Sequence, residues 1–133
     1  MINLTPYKYH YRPGYDSTNL LIEFISGVEN KTFITNLLDG IKSIKPQIVD
    51  LNDLWMNDEV LYSIGSTLGK FILSKDIWDS AFIMADENQT CIAKINEILL
   101  ADTRFEKIEV DFENYKTVKF QSLRNNRHQS PLR

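Results

Sequence analysis

The sequence predicts an α+β fold in a single domain: a mixed, mainly antiparallel β-sheet with two amphipathic helices and a β-α-β-β segment towards the C-terminus. Three observations predict it. Short runs that alternate, or are apolar on both faces, outnumber stretches with helical periodicity. Only two stretches repeat apolar residues at helical spacing. The chain has 133 residues, 43% hydrophobic and 25% charged, which suits one core, and no Pro, Gly or Ser-rich linker divides it. Residues 1–121 are expected to form that domain. Residues 122–133 are polar, carry three arginines and lack any apolar period, so a loosely held basic tail is expected there.

Taken in order, Tyr7, Tyr9 and Tyr11 alternate with Lys8, His10 and Arg12, the pattern of a strand with one aromatic and one charged face. Pro13 and Gly14 turn the chain, and Asn19 to Ile25 (NLLIEFI) reads as a strand central enough to be apolar on both sides, completing a hairpin. Ser26 and Gly27 break it. Phe33, Ile34, Leu37, Leu38, Ile41 and Ile44 then recur at helical spacing, predicting a helix from about Glu29 to Ile44 that Pro46 stops. Residues 47–58 read equally as strand, helix or loop. Val60–Ile64, Lys70–Leu73 and Ser80–Ala85 read as strands of a meander, with Gly65 to Gly69 as a turn. A second helix is expected from Asp86, Glu87 and Asn88, which supply caps and suit the helix dipole, to about Ala101, with Cys91, Ile92, Ile95, Ile98 and Leu99 inward. FEKIEVDF (105–112) and YKTVKF (115–120) alternate as two last strands around Glu113-Asn114, and a parallel β-α-β passage there would be right-handed.

The formal net charge is only −3, but it is unevenly placed. Residues 50–87 carry 8 acidic and 2 basic side chains, whereas residues 1–49 and 88–133 are close to balance or slightly basic. A concentrated negative field attracts basic partners and repels phosphate backbones, which argues against nucleic-acid binding by the central segment. Cys91 is the single cysteine, so an intramolecular disulfide or a cysteine-rich zinc site is excluded. The opening MINLTPYKYHYRPGY has no apolar leader core and no run of apolar residues is long enough to span a bilayer, so a cytoplasmic protein without membrane insertion is expected.

No phosphate-binding loop, dinucleotide glycine fingerprint, nucleophile elbow or H-E-x-x-H helix occurs, and His10 and His128 have no acidic neighbour placed to orient them. The stretch SKDIWDSAFIMADEN gathers Asp76, Asp79, Asp86 and Glu87, but a strand between Asp79 and Asp86 would hold the two pairs ~20 Å apart at ~3.3 Å per residue. No cofactor or metal is expected. Two short segments echo each other: Asp53-Leu54-Trp55 and Asp76-Ile77-Trp78, followed by Asp58 and Asp79. Tryptophan is ordinarily a core residue, yet an aromatic anchor among carboxylates is also what a surface for a basic protein requires.

The segments LNDLWMNDEV, GKFILSKDIWDSAFI and FEKIEVDF, in a small acidic α/β chain with one cysteine and no catalytic motif, resemble the immunity proteins of bacterial polymorphic toxin and contact-dependent growth inhibition systems. The resemblance spans roughly residues 19–120. It implies a non-catalytic protein that neutralises a cognate toxin domain, often a nuclease with a basic cleft. On that expectation Asp50, Asp53, Asp58, Glu59, Asp76 and Asp79 form the charged set of the partner-binding surface, with Trp55 and Trp78 as anchors. Three other readings stand beside it. One is a small carboxylate- or metal-dependent enzyme. Another is a nucleic-acid-associated adaptor using the tyrosine-rich hairpin and Lys116, Lys119, Arg124, Arg127 and Arg133. The last is a subunit without separate activity.

Overall fold

The computed structural model describes residues 7–116. Strands β1 (Tyr7–Pro13) and β2 (Leu20–Ser26) form the expected antiparallel hairpin, with Tyr9 opposite Phe24 and Arg12 opposite Leu21. Gly27, at φ 93°, ends β2, and hydrogen-bonded turns from Gly27 to Asn30 and from Asn30 to Phe33 follow. Those turns take residues 27–32 out of the helix, so α1 is shorter than the spacing predicts, Phe33–Gly40, and continues as a 3-10 turn, Lys42–Ile44. The inward stripe is as expected: Phe33, Leu37, Ile41 and Ile44 are buried. Lys45 then takes a left-handed conformation before Pro46.

The ambiguous stretch resolves into β3 (Gln47–Leu54) and a 3-10 turn, Trp55–Asn57. β4 (Glu59–Gly65), β5 (Phe71–Asp76) and β6 (Ala81–Met84) continue the antiparallel meander, and β6 pairs with β2. Helix α2 (Gln89–Leu100) leads to β7 (Phe105–Lys107), which lies parallel to β1. The seven-stranded sheet runs β3-β4-β5-β6-β2-β1-β7, a mixed, mostly antiparallel sheet that makes the domain α+β. β6 and β7 are parallel, as the β-α-β reading has it, but they are not neighbours, because β2 and β1 lie between them.

Both helices cover the same face. Tyr7 and Tyr9 share one side of β1; the Tyr7 hydroxyl accepts a 2.6 Å hydrogen bond from Asn36 of α1, and the Tyr9 hydroxyl donates at 2.9 Å to Asn96 Oδ1 of α2. Ile22, Phe24, Ile64, Phe71, Leu73, Ala81, Ile83, Cys91, Ile92, Ile95, Leu99 and Phe105 complete one contiguous core. Burial raises the pKa of Tyr9 and of Cys91 above the usual values, so both stay neutral, consistent with Cys91 acting as a packed thiol. Towards β7, Arg104 donates to Asp102 at 2.7 Å and to Asp39 of α1 at 3.1 Å, tying the helix layer to the sheet edge. The opposite face of β1 departs from a simple charged face. Arg12 is buried there, donating to Glu23 at 2.7 Å, with its guanidinium carbon 5.1 and 4.6 Å from the ring centres of Tyr15 and Tyr115.

Three further expectations need correction. Asp86 and Glu87 do not cap α2: Asn88 occupies the N-cap position, and its amide instead donates to the carbonyls of Leu68 and Lys70. The strand expected over 105–112 stops at Lys107, after which only Ile108 N–H bonds back to Tyr9. Glu113–Lys116 form a helical turn, not the tight turn and first residues of a last strand; the rest of the YKTVKF segment, and the tail 122–133, lie outside the described residues. Among the described residues the β-α-β-β segment is therefore β-α-β, and the Tyr115 ring lies over Arg12 and against Tyr15. No described helix is long and apolar enough to cross a membrane.

Candidate functional site

Antiparallel pairing of β4 with both β3 and β5 puts the β3–β4 and β5–β6 connections at the same end of the sheet. Register places Glu59 opposite both Leu54 and Asp76. Each connection is a tight reversal built round an aspartate in the left-handed region. In the first, the 3-10 turn Trp55–Asn57 is closed by Asp58 N–H donating to Trp55 C=O at 3.2 Å, with Asp58 at φ 56°. In the second, Asp76 Oδ1 accepts from the backbone N–H of Trp78 (2.9 Å) and of Ser80 (3.0 Å), and Asp79 sits at φ 63°. Aspartate tolerates that conformation better than most residues because its short polar side chain bonds locally. The two reversals are stitched together by Ile77 N–H donating to Asp58 C=O at 3.1 Å. The echo in the sequence, Asp-aliphatic-Trp followed by Asp, thus corresponds to two adjacent turns.

What these turns present is apolar. Trp55, Met56, Ile77 and Trp78 are 73%, 78%, 65% and 67% exposed, so neither tryptophan belongs to the core. Scattered exposed hydrophobics are ordinary, but four large ones on two cross-linked turns form a patch of the kind found at interaction sites. Between the turns and the sheet lies a groove of about 300 Å³, lined by Asp53, Trp55, Asp58, Glu59, Val60, Tyr62, Lys75, Asp76 and Ile77. A neighbouring depression contains Asp79 with Glu29, Lys31, Tyr62 and Lys75.

The carboxylates of this set do not share one face of the sheet. By register, Asp53 stands on the helix-covered side with Val60, whereas Asp50 stands on the other side with Ser63. Glu59 accepts a hydrogen bond from Ser74 on that second side. Asp76 is partly committed to its own turn, so its carboxylate has a structural task besides any surface role. Among the described residues, none of Asp50, Asp53, Asp58, Glu59, Asp76 and Asp79 lies within 4 Å of a lysine or arginine charge in an ion pair. Lys75 is the one cation among the described residues that line the groove.

Asp86 and Glu87 lie at the other end of the sheet, lining a separate, wider depression with Lys70, Phe71, Met84 and Asn88. The four carboxylates of residues 74–88 are therefore divided by β6, as strand length requires. No group of three or more His, Cys, Asp or Glu among the described residues is arranged to hold a metal ion. His10 Nδ1 lies 2.9 Å from the carbonyl of Ile108, a contact that holds the strand end. Met56, Tyr62 and Lys75 were not legible as site residues from sequence, and Ile77 entered only as the middle residue of the repeated Asp-aliphatic-Trp motif. No protein-family model, curated protein or solved structure matches this chain.

Proposed function

We propose that this chain is a non-catalytic binding protein that receives a basic protein domain on the tryptophan-bearing end of its sheet, acting as an immunity protein that neutralises a cognate bacterial toxin, with a nuclease as the favoured class. The observation that carries the reading is the pair of cross-linked turns exposing Trp55, Met56, Ile77 and Trp78 beside Asp53, Asp58, Glu59, Asp76 and Asp79, which have no ion-pair partner among the described residues. A nuclease cleft presents lysine and arginine for phosphate. Carboxylates steer such a surface into encounter, and desolvated aromatic anchors then slow its departure.

The test is co-expression with the C-terminal domain of a large secreted toxin encoded beside this chain. Expected is a stable complex and loss of toxicity. Asp53→Asn with Asp58→Asn should slow association at low salt, and Trp55→Ala or Trp78→Ala should speed dissociation. Absence of a complex, or a complex indifferent to all four substitutions, overturns the assignment of this end as the site.

A further inference from the structure

We propose that the free edge of β3 takes up a strand from the basic partner by β-sheet addition, selecting an extended segment with two lysine or arginine residues three positions apart. The proposal rests on the reading that the partner is a basic protein and adds how it is held.

Among the described residues β3 pairs on one side only, with β4. None of its 8 residues is buried, and Ile48, Val49 and Leu51 are 43%, 56% and 54% exposed. The opposite edge, β7, is 3 residues long. Alternate N–H and C=O groups of an edge strand project away from the sheet, a ready template for another strand. Proteins commonly block such edges with lysine, proline or a bulge. Here Pro46 and the bulge between Ile48 and Asp50 both lie at the start of β3. Asp50 to Leu54 run in regular register against Ser63 to Glu59, with no basic residue among them.

That composition selects the occupant. Self-pairing would place Asp50 and Asp53 of two copies in one ladder with no cation to offset them, so a second copy is disfavoured. Because Asp50 and Asp53 stand on opposite faces, an added strand must offer one cation to each face, which in a period-2 strand means positions i and i+3. Leu51 favours an apolar residue opposite it, and Trp55 and Met56 extend the contact past the end of the strand.

The probe is the synthetic octapeptide TVKTVKTV, titrated into the isotope-labelled full chain and followed by amide shifts and hydrogen exchange. Expected are slowed exchange at alternate amides of residues 47–54 and affinity about tenfold better than for TVKTKVTV, whose lysines share one face. TVETVETV should not bind, and Asp50→Asn with Asp53→Asn should abolish the preference between the lysine peptides. Unchanged β3 amides overturn the edge proposal, whether or not the peptide perturbs residues 55–58 and 76–79. So does a concentration-dependent dimer that protects β3 without peptide. If the toxin domain co-purifies while β3 stays unprotected, the binding function stands and only edge addition fails. Protection of β3 without any toxin complex leaves edge addition standing and removes the toxin reading.

Discussion

Replacing Trp55 and Trp78 singly by alanine separates a recognition surface from a core. The two tryptophans are the only ones in the chain and remain 73% and 67% exposed. About 30% of a side chain of ~200 Å² is covered, or roughly 60 Å². At ~25 cal/mol/Å² this corresponds to at most about 1.5 kcal/mol, and compact unfolded states reduce it towards ~1 kcal/mol. A tryptophan in the core would instead cost about 3–5 kcal/mol on truncation. For a domain of this size, ~1 kcal/mol moves Tm by roughly 3–5 °C. Urea unfolding followed by far-UV circular dichroism measures the difference, with an unchanged m-value required. Each single variant also isolates the emission of the other tryptophan, which should already lie near its water-exposed limit before urea is added. A loss of ~3 kcal/mol or more from either substitution, or emission characteristic of a dry interior, refutes the assignment of these residues to a surface.

Other consequences concern the supports of that surface and the core beneath it. Asp76→Ala removes the acceptor for two backbone N–H groups and should cost about 1 kcal/mol, whereas Asp76→Asn keeps an acceptor and should restore most of it; urea titration of the pair decides. Tyr9→Phe leaves Asn96 Oδ1 without its 2.9 Å donor in a buried setting and should cost about 1–3 kcal/mol by the same assay. Hydrogen bonds from Arg104 hold the pKa of Asp102 below the usual carboxylate value. A lowered folded-state pKa contributes stability above the unfolded value, about 3.9, and loses it as pH falls through the folded value. Asp102→Asn should therefore be less stable than the parent at neutral pH, with the gap closing in acid-dependent melting curves below about pH 4. At the far end of the sheet, Gly69 has φ 102° and a Cβ there would come within 2.6 Å of Asn88 Nδ2. Gly69→Ala should cost at least ~1 kcal/mol in urea unfolding.

Elements whose periodicity and burial coincide were legible in the sequence. The tyrosine alternation of β1 and the Phe33, Leu37, Ile41 stripe of α1 map onto buried faces because the same contacts set both pattern and packing. β3 was opaque for the converse reason. QIVDLNDL has no side committed to the core, so nothing forced its apolar residues into a period of two. The C-terminal segment misled because alternation in FEKIEVDF resembles strand patterning, while backbone pairing with β1 persists only through Lys107 and the Ile108 contact. At the site, the acidic middle of the chain was visible as composition, but the division of labour within it was not. Asp76 holds a turn and Glu59 bonds to Ser74, so neither is purely a surface charge.

The contrast between the two ends of the sheet bears most directly on function. At the far end, polar groups are consumed internally: Gln89 exchanges hydrogen bonds with the backbone of Leu20, Asn88 bridges Leu68 and Lys70, and Ser66 closes its own turn on Gly69. At the tryptophan-bearing end the chain holds Asp58 and Asp79 in the left-handed region and leaves four large apolar side chains in water. Glycine at positions 58 and 79 would relieve the backbone, and polar residues in place of Trp55 and Trp78 would reduce exposed apolar surface, so folding alone does not favour the residues found there. An aspartate in each of these positions preserves negative charge beside an exposed tryptophan. That combination opposes self-association through charge repulsion and, on the proposed function, keeps an apolar anchor open to a cationic surface.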